Sequence, residues 1–315
     1  MSRIHEALKK AEEQRSAEHE MHIEPPLASA PEVVPDPVSM PVAAVPPLAD
    51  ERDRRTVSAA MPSFGTGLSV ESLLSRCVAG HWTPDRKTML FFNGDEQGYG
   101  TEEFRTLRSR LYQLRDRLPL KKVLVTSALP KEGKSFVAAN LAQVLVQQQG
   151  RRTLLIDGDL RGARLHNALG TESSPGLTEY LLGEADEFAI LQRGPMDNLF
   201  FIPCGRKVTS PAELVANGRL KTLLNRLEPL FDWMVLDSPP AVPVSDAGLL
   251  ANYCDGVLMV VRSNSTPFDM ARKARQEFSG KQLVGVVLNG IDQGNSYSQY
   301  YYDAYGKPNG KNEQR

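Results

Sequence analysis

The sequence predicts one α/β domain, a mostly parallel sheet covered by helices, with a disordered amino-terminal linker and a flexible carboxy-terminal tail. Three observations predict it. Short runs rich in Val, Leu and Ile recur between residues 121 and 289, each separated from the next by enough chain for a helix. Such near-continuous apolar strands alternating with helices belong to a parallel sheet buried on both faces. The first run opens into a glycine-lysine-serine loop and then an apolar helix, and the composition changes character on both sides of residues 87–290.

Residues 1–20 come first. Ile4, Ala7, Leu8 and Ala11 stand at helical spacing with charges on the other face, and Ser2 is a suitable N-cap, so a short amphipathic helix is expected there. It is too short to be stable alone in water, so either its apolar stripe takes a partner or the segment is a frayed, solvated terminus. Residues 21–86 follow as a linker. Residues 24–62 hold nine of the 22 prolines with no regular period, which removes the donors and the pattern that a core element needs. The domain is expected over 87–290. Strands are predicted at KKVLVTS (121–127), TLLIDGD (153–159), NLFFIPC (198–204), WMVLDS (233–238), DGVLMVV (255–261) and LVGVVLN (283–289), and a buried helix at 135–149, ended by Gly150. Residues 291–315 are polar and tyrosine-dense, without an apolar period, and are expected to form an exposed tail.

Composition narrows the function. Lys+Arg 37 against Asp+Glu 38 gives a net charge of -1, so no basic field recruits nucleic acid. The apolar share of 41% is enough for a sizeable core. Cys77, Cys204 and Cys254 lie far apart with no CxxC pair, which argues against a disulfide scaffold or zinc ribbon and fits a reducing cytoplasm. His19 and His22 have no third ligand nearby and read as surface residues. No run approaches the ~18 apolar residues of a membrane helix, and MSRIHEALKK lacks the apolar centre of a signal peptide.

Ala128-Leu129-Pro130-Lys131-Glu132-Gly133-Lys134-Ser135 matches a phosphate-binding loop, except that Ala128 stands at the first glycine. A strand before it and a helix after it are the required context. Loop amides and the helix N-terminus suit phosphates, Lys134 reaches the β/γ-phosphates and the Ser135 hydroxyl suits Mg²⁺. Gly133 and Phe136 complete the expected ATP-binding set. A phosphate-loop NTPase fold is therefore predicted. Asp157 and Asp159 end one strand and Asp237 another, so all three carboxylates are expected at the ligand crevice beyond the strand ends. If the first strand stays extended, Asp157 and Asp159 point to the same side. Tyr297, Tyr300, Tyr301, Tyr302 and Tyr305 crowd the tail; they read either as a docking tail or as phosphate acceptors.

The loop, Asp157-Gly158-Asp159-Leu160-Arg161, Asp237-Ser238-Pro239-Pro240 and the tyrosine cluster together resemble the bacterial tyrosine autokinases of exopolysaccharide synthesis, over roughly residues 88–305. Ser-Arg-Ile-x-Glu-Ala-Leu at the start is similar to the exosortase-associated form. The resemblance implies ATP:protein-tyrosine phosphotransfer, with Asp157 as base, Asp159 and Asp237 organising Mg²⁺, Arg161 steadying the acceptor or a phosphate, and Asn289 contacting adenine. It implies a homo-oligomer joined through Glu102, Arg105 and Arg108, which share one face of a helix, and, because few residues separate Asn289 from Tyr297, the tail tyrosines are expected to be phosphorylated in trans. It also implies a separate membrane-embedded polysaccharide co-polymerase as activator, which would hold the chain at the inner membrane, and a phosphotyrosine phosphatase. Ser210-Pro211-Ala212-Glu213-Leu214 departs from the family's Asn-Pro-x-Glu-Leu. The competing reading is a partitioning-type ATPase that switches binding without transferring phosphate. Leu129, where those ATPases carry a signature lysine, counts against it, as does the tyrosine tail.

Overall fold

A computed structural model describes residues 69–92 and 100–291. Among the described residues, eight strands form one sheet in the order β1-β4-β5-β3-β6-β2-β7-β8. They are β1 (Val78–Ala79), β2 (Lys122–Ser127), β3 (Thr153–Asp157), β4 (Gln192–Arg193), β5 (Leu199–Ile202), β6 (Trp233–Asp237), β7 (Gly256–Arg262) and β8 (Leu283–Asn289). Every pairing is parallel except β4 with β5, so the predicted mostly parallel sheet is the one observed. All six apolar runs read from the sequence are strands of it.

The apolar runs are continuous because each strand feeds two cores. Leu154 and Ile156 of β3 and Met234 and Leu236 of β6 point into one layer, while Leu155, Trp233 and Val235 point into the other. Period-two alternation across a doubly covered sheet produces this division. Helix α3 (Lys134–Val146) lies against the second layer and is buried from Val137 through Val146. It stops before the expected end at 149, with Gln147 as its C-cap, and Gly150 takes a positive φ of 74° further on.

Two polar residues in that buried helix have partners. Asn140 Oδ1 accepts from the Leu90 N–H at 2.9 Å, its Nδ2 donates to the Thr88 carbonyl at 2.8 Å, and Gln143 Oε1 accepts from the Phe91 N–H at 3.2 Å. Residues 88–91 are thereby tied to α3. Helix α2 (Thr101–Arg115) packs beside α3 through Phe104, whose ring meets Phe136 edge-on at 5.8 Å.

The expected linker boundary at 86 is corrected. Helix α1 (Val70–Arg76) begins at Ser69, whose hydroxyl accepts from the Ser72 N–H in a capping box, and β1 follows it. Trp82 is buried, with its ring edge-on to Phe201 at 5.9 Å. The cause is local: the proline run ends at Pro62, and Leu73 and Trp82 are apolar enough to enter the core. The expected helix at 1–20 and the tail tyrosines lie outside the described residues.

Candidate active site

Strand β2 runs into the loop at Ala128, which is fully buried. Its methyl packs in the core, and its φ is not positive, so nothing at this position demands the glycine of the usual pattern. Glycine is required at Gly133, where φ is 97° and an added Cβ would stand 2.0 Å from Asn289 Nδ2. The helix begins there without a side-chain cap, so its first N–H groups remain available to an anion. The Phe136 side chain is committed to the α2–α3 packing, leaving its backbone as the part that faces a nucleotide role.

Asp157 and Asp237 stand side by side, paired in register at the ends of β3 and β6, and both are completely buried. The strand does not stay extended to Asp159 as expected. It ends at Asp157, and the chain turns, with the Leu160 N–H donating to the Gly158 carbonyl at 3.0 Å. Gly158 lies so close to the next strand that a Cβ would meet the Asp237 carbonyl at 2.6 Å. The turn still brings Asp159 to the crevice, where its Oδ2 accepts from Lys134 Nζ at 2.8 Å, with both side chains nearly buried.

The electrostatics follow from this crowding. Burial, reinforced by the charges of Asp237 and Asp159, pushes the Asp157 carboxyl well above its usual range. Burial also raises Asp237, although the Lys134 charge and the Ser135 hydroxyl draw it back. Burial alone would lower the Lys134 ammonium, but Asp237, Asp159 and Asp157 together overcome that and hold it above normal. Both Asp237 oxygens are buried without a hydrogen-bond partner of good geometry among the described residues. Buried acceptors left open in this way suit a cation. Among the described residues no three His, Cys, Asp or Glu side chains cluster into a metal cage. A Mg²⁺ here would accordingly draw most of its ligands from phosphates and water, as that ion usually does.

The remaining expected residues divide. Asn289 reaches the loop, its Nδ2 donating to the Glu132 carbonyl at 2.9 Å. Arg161 is turned to a residue that the motifs did not point to: its Nε and Nη2 donate to Asp246 at 2.7 and 3.0 Å. Asp246 is buried in the first turn of α9 (Asp246–Ala251), and a lone Asp ahead of a short apolar helix reads as an ordinary cap. Glu102 and Arg105 form an ion pair on α2, and Arg108 donates to the Val144 carbonyl at 2.9 Å.

Comparison with known proteins agrees with this geometry. Residues 123–305, more than half of the chain, match the CobQ/CobB/MinD/ParA nucleotide binding domain. The chain is 34% identical over 210 residues to the tyrosine-protein kinase YwqD of Bacillus subtilis, covering 66% of this chain and 88% of that one. It is 33% identical over 214 residues to the putative tyrosine-protein kinase EpsB of Ralstonia nicotianae, covering 65% of this chain but 28% of that much longer protein. Among solved structures, the kinase domain of Escherichia coli tyrosine kinase ETK superposes with a TM-score of 0.63 at 28% identity, covering 69% of this chain and 84% of that one. A phosphate loop facing strand-end carboxylates is common to many nucleotide-binding proteins, but the sequence likeness across the whole domain is specific: the chain belongs to the bacterial tyrosine-protein kinases.

Proposed function

We propose that the chain is an ATP- and Mg²⁺-dependent tyrosine autokinase that phosphorylates its own carboxy-terminal tyrosine cluster. The observation that carries this is the pair of buried, register-matched carboxylates Asp157 and Asp237 beside Lys134. Ser135, Asp159 and Asp237 are the residues that would hold Mg²⁺, which when bound neutralises phosphate charge. Lys134 and the amides from Gly133 to Phe136 bind and orient the phosphates and stabilise charge on the group in transfer. A tyrosine hydroxyl has a pKa of about 10, so its attack is helped by a positioned base. Asp157, made more basic by burial, takes the phenolic proton at its carboxylate. Arg161, fixed by Asp246, stands beyond Asp159 as a positive flank to the acceptor's approach.

Few residues separate Asn289 from Tyr297, so a return into the same crevice is less favourable than entry into a neighbour's. Phosphorylation in trans within a homo-oligomer, with Glu102, Arg105 and Arg108 toward the neighbouring copy, follows from that. Each phosphate adds roughly -1.5 to -2 charge and loosens the assembly. Among the described residues no helix is long and apolar enough to cross a membrane. We place the activator in a separate membrane-embedded polysaccharide co-polymerase that recruits the kinase to the inner membrane, and the reverse reaction in a phosphotyrosine phosphatase. The test mixes a Lys134→Met chain with an intact tail and an active chain whose tail tyrosines are all Phe, with labelled ATP and Mg²⁺. Phosphotyrosine on the first chain is the expected result. Its absence while the chains associate means transfer in cis, and released phosphate without any phosphotyrosine means an ATPase.

A further inference from the structure

Glu132 presents a puzzle of charge. It sits inside a loop that must receive phosphates, is only 3% exposed, and carries a carboxylate. Its contacts resolve the puzzle. Oε2 accepts from the Leu129 N–H at 2.8 Å, closing the loop across three residues, and Oε1 accepts from the Thr266 hydroxyl. Thr266 is half-buried in the turn after β7, and its oxygen also accepts from the Arg262 N–H at 2.9 Å. From the same strand ends, Arg262 Nη1 donates to the Lys131 carbonyl at 3.1 Å and Asn289 Nδ2 donates to the Glu132 carbonyl. The ends of β7 and β8 thus hold the loop from outside the phosphate crevice.

The loop needs such a hold. Lys131 has φ of 66°, in the left-handed region, which is strained for a residue with a side chain. A free loop would relax from it. We propose that Glu132 and Thr266 are positioning residues for nucleotide binding: Thr266 fixes the Glu132 carboxylate, and the carboxylate fixes the Leu129 end of the loop, so that the loop amides are pre-arranged for phosphate. With both oxygens occupied by donors, the Glu132 carboxylate is also turned to the protein rather than to the incoming anion. This inference rests on the reading of the loop as the nucleotide site.

The experiment measures the affinity of the full chain for a fluorescent ADP with Mg²⁺, together with its thermal midpoint without nucleotide. Thr266→Val keeps the shape and removes the hydroxyl, and Thr266→Ser restores it. We expect about a tenfold loss of affinity for Thr266→Val, the scale of one hydrogen bond to a charged group. Thr266→Ser should stay within about twofold of the parent, and the midpoint without nucleotide should move too little to account for the loss. Glu132→Gln guards against poor folding of the first variant: it too should weaken affinity, and combining it with Thr266→Val should add little further loss, because both break the same contact. Parent-like affinity in Thr266→Val, absence of rescue by serine, or fully additive losses would each overturn the proposal. Lys134→Met is the control. If it retains parent-like affinity, the loop is not the nucleotide site and the underlying reading fails; if it loses binding while Thr266→Val does not, only the positioning role fails.

Discussion

The middle of the sheet and its two margins serve one crevice in different ways. In the middle, β3 and β6 are buried along their whole length, and Asp157 and Asp237 at their ends are completely buried. At one margin, β8 is only partly covered, with Val286 and Leu288 about half exposed, and it delivers Asn289 through a single hydrogen bond to the loop. At the other margin, two-residue β1 and β4 carry no residue of the crevice and are held by Trp82 against Phe201. The difference shows a division of labour. Charges that must be held away from their solution behaviour stand where burial is complete, and the groups that steer the loop stand where hydrogen bonds can adjust without unpacking the core.

Breaking the centre gives the largest effect. Lys134→Met removes a cation that faces three carboxylates, and phosphotyrosine is expected to fall by at least ~10²-fold, the scale of losing one preorganised charge-stabilising group. An immunoblot after incubation with ATP and Mg²⁺ measures it, and circular dichroism checks that the chain is folded. Asp157→Asn comes next. It takes away the proposed base and spares the loop, so transfer is expected to drop by ~10²-fold or more while nucleotide affinity changes only a few-fold. Equal losses in both would make Asp157 a structural or metal residue.

The β1 margin is expected to matter for stability rather than chemistry. Trp82→Ala leaves a large cavity against Phe201 and Phe92 and should cost about 3–5 kcal/mol by denaturant unfolding. Deleting residues 1–86 should be at least as damaging, whereas deleting 1–68 removes none of the described contacts. An unchanged unfolding midpoint after deletion to 86 would show that this margin is dispensable.

The smallest effect concerns Glu179 in α5 (Leu177–Leu182). Burial alone would raise its pKa, but the Gly176 N–H at 2.8 Å, the Ser174 hydroxyl at 2.9 Å and the Arg206 N–H at 3.0 Å prevail and hold it below the ordinary carboxylate value. A depressed folded pKa stabilises the protein above the unfolded pKa, and that stability is lost as pH falls through the folded value. The parent should therefore exceed Glu179→Gln by about 1–2 kcal/mol at neutral pH, and the gap should close as pH drops below about 4. A gap that persists in acid would mean that packing rather than charge is responsible.

Much of this was legible in the sequence because it depends on local pattern. Doubly buried strands show as unbroken apolar runs, and a phosphate loop or strand-end Asp shows in a few adjacent residues. What was not legible depends on contacts between distant segments. The Arg161–Asp246 pair joins residues 85 apart, and Glu132 with Thr266 joins residues 134 apart, with nothing in the flanking sequence to mark either. The boundary at 86 failed for a different reason: composition marks where prolines are dense, whereas the core begins wherever an apolar residue such as Leu73 finds a place in it.

The contact between Lys134 and Asp159 has one further consequence, for selectivity. With the Lys134 ammonium neutralised by an internal counter-ion at 2.8 Å, a bare anion entering the loop would have to displace Asp159 and leave that nearly buried carboxylate uncompensated. On the proposed function, a nucleotide carrying its own cation would offer Asp159 a replacement partner where its phosphates drew Lys134 away. If the loop is the nucleotide site as proposed, inorganic phosphate and metal-free nucleotide are therefore expected to be weak competitors for the crevice.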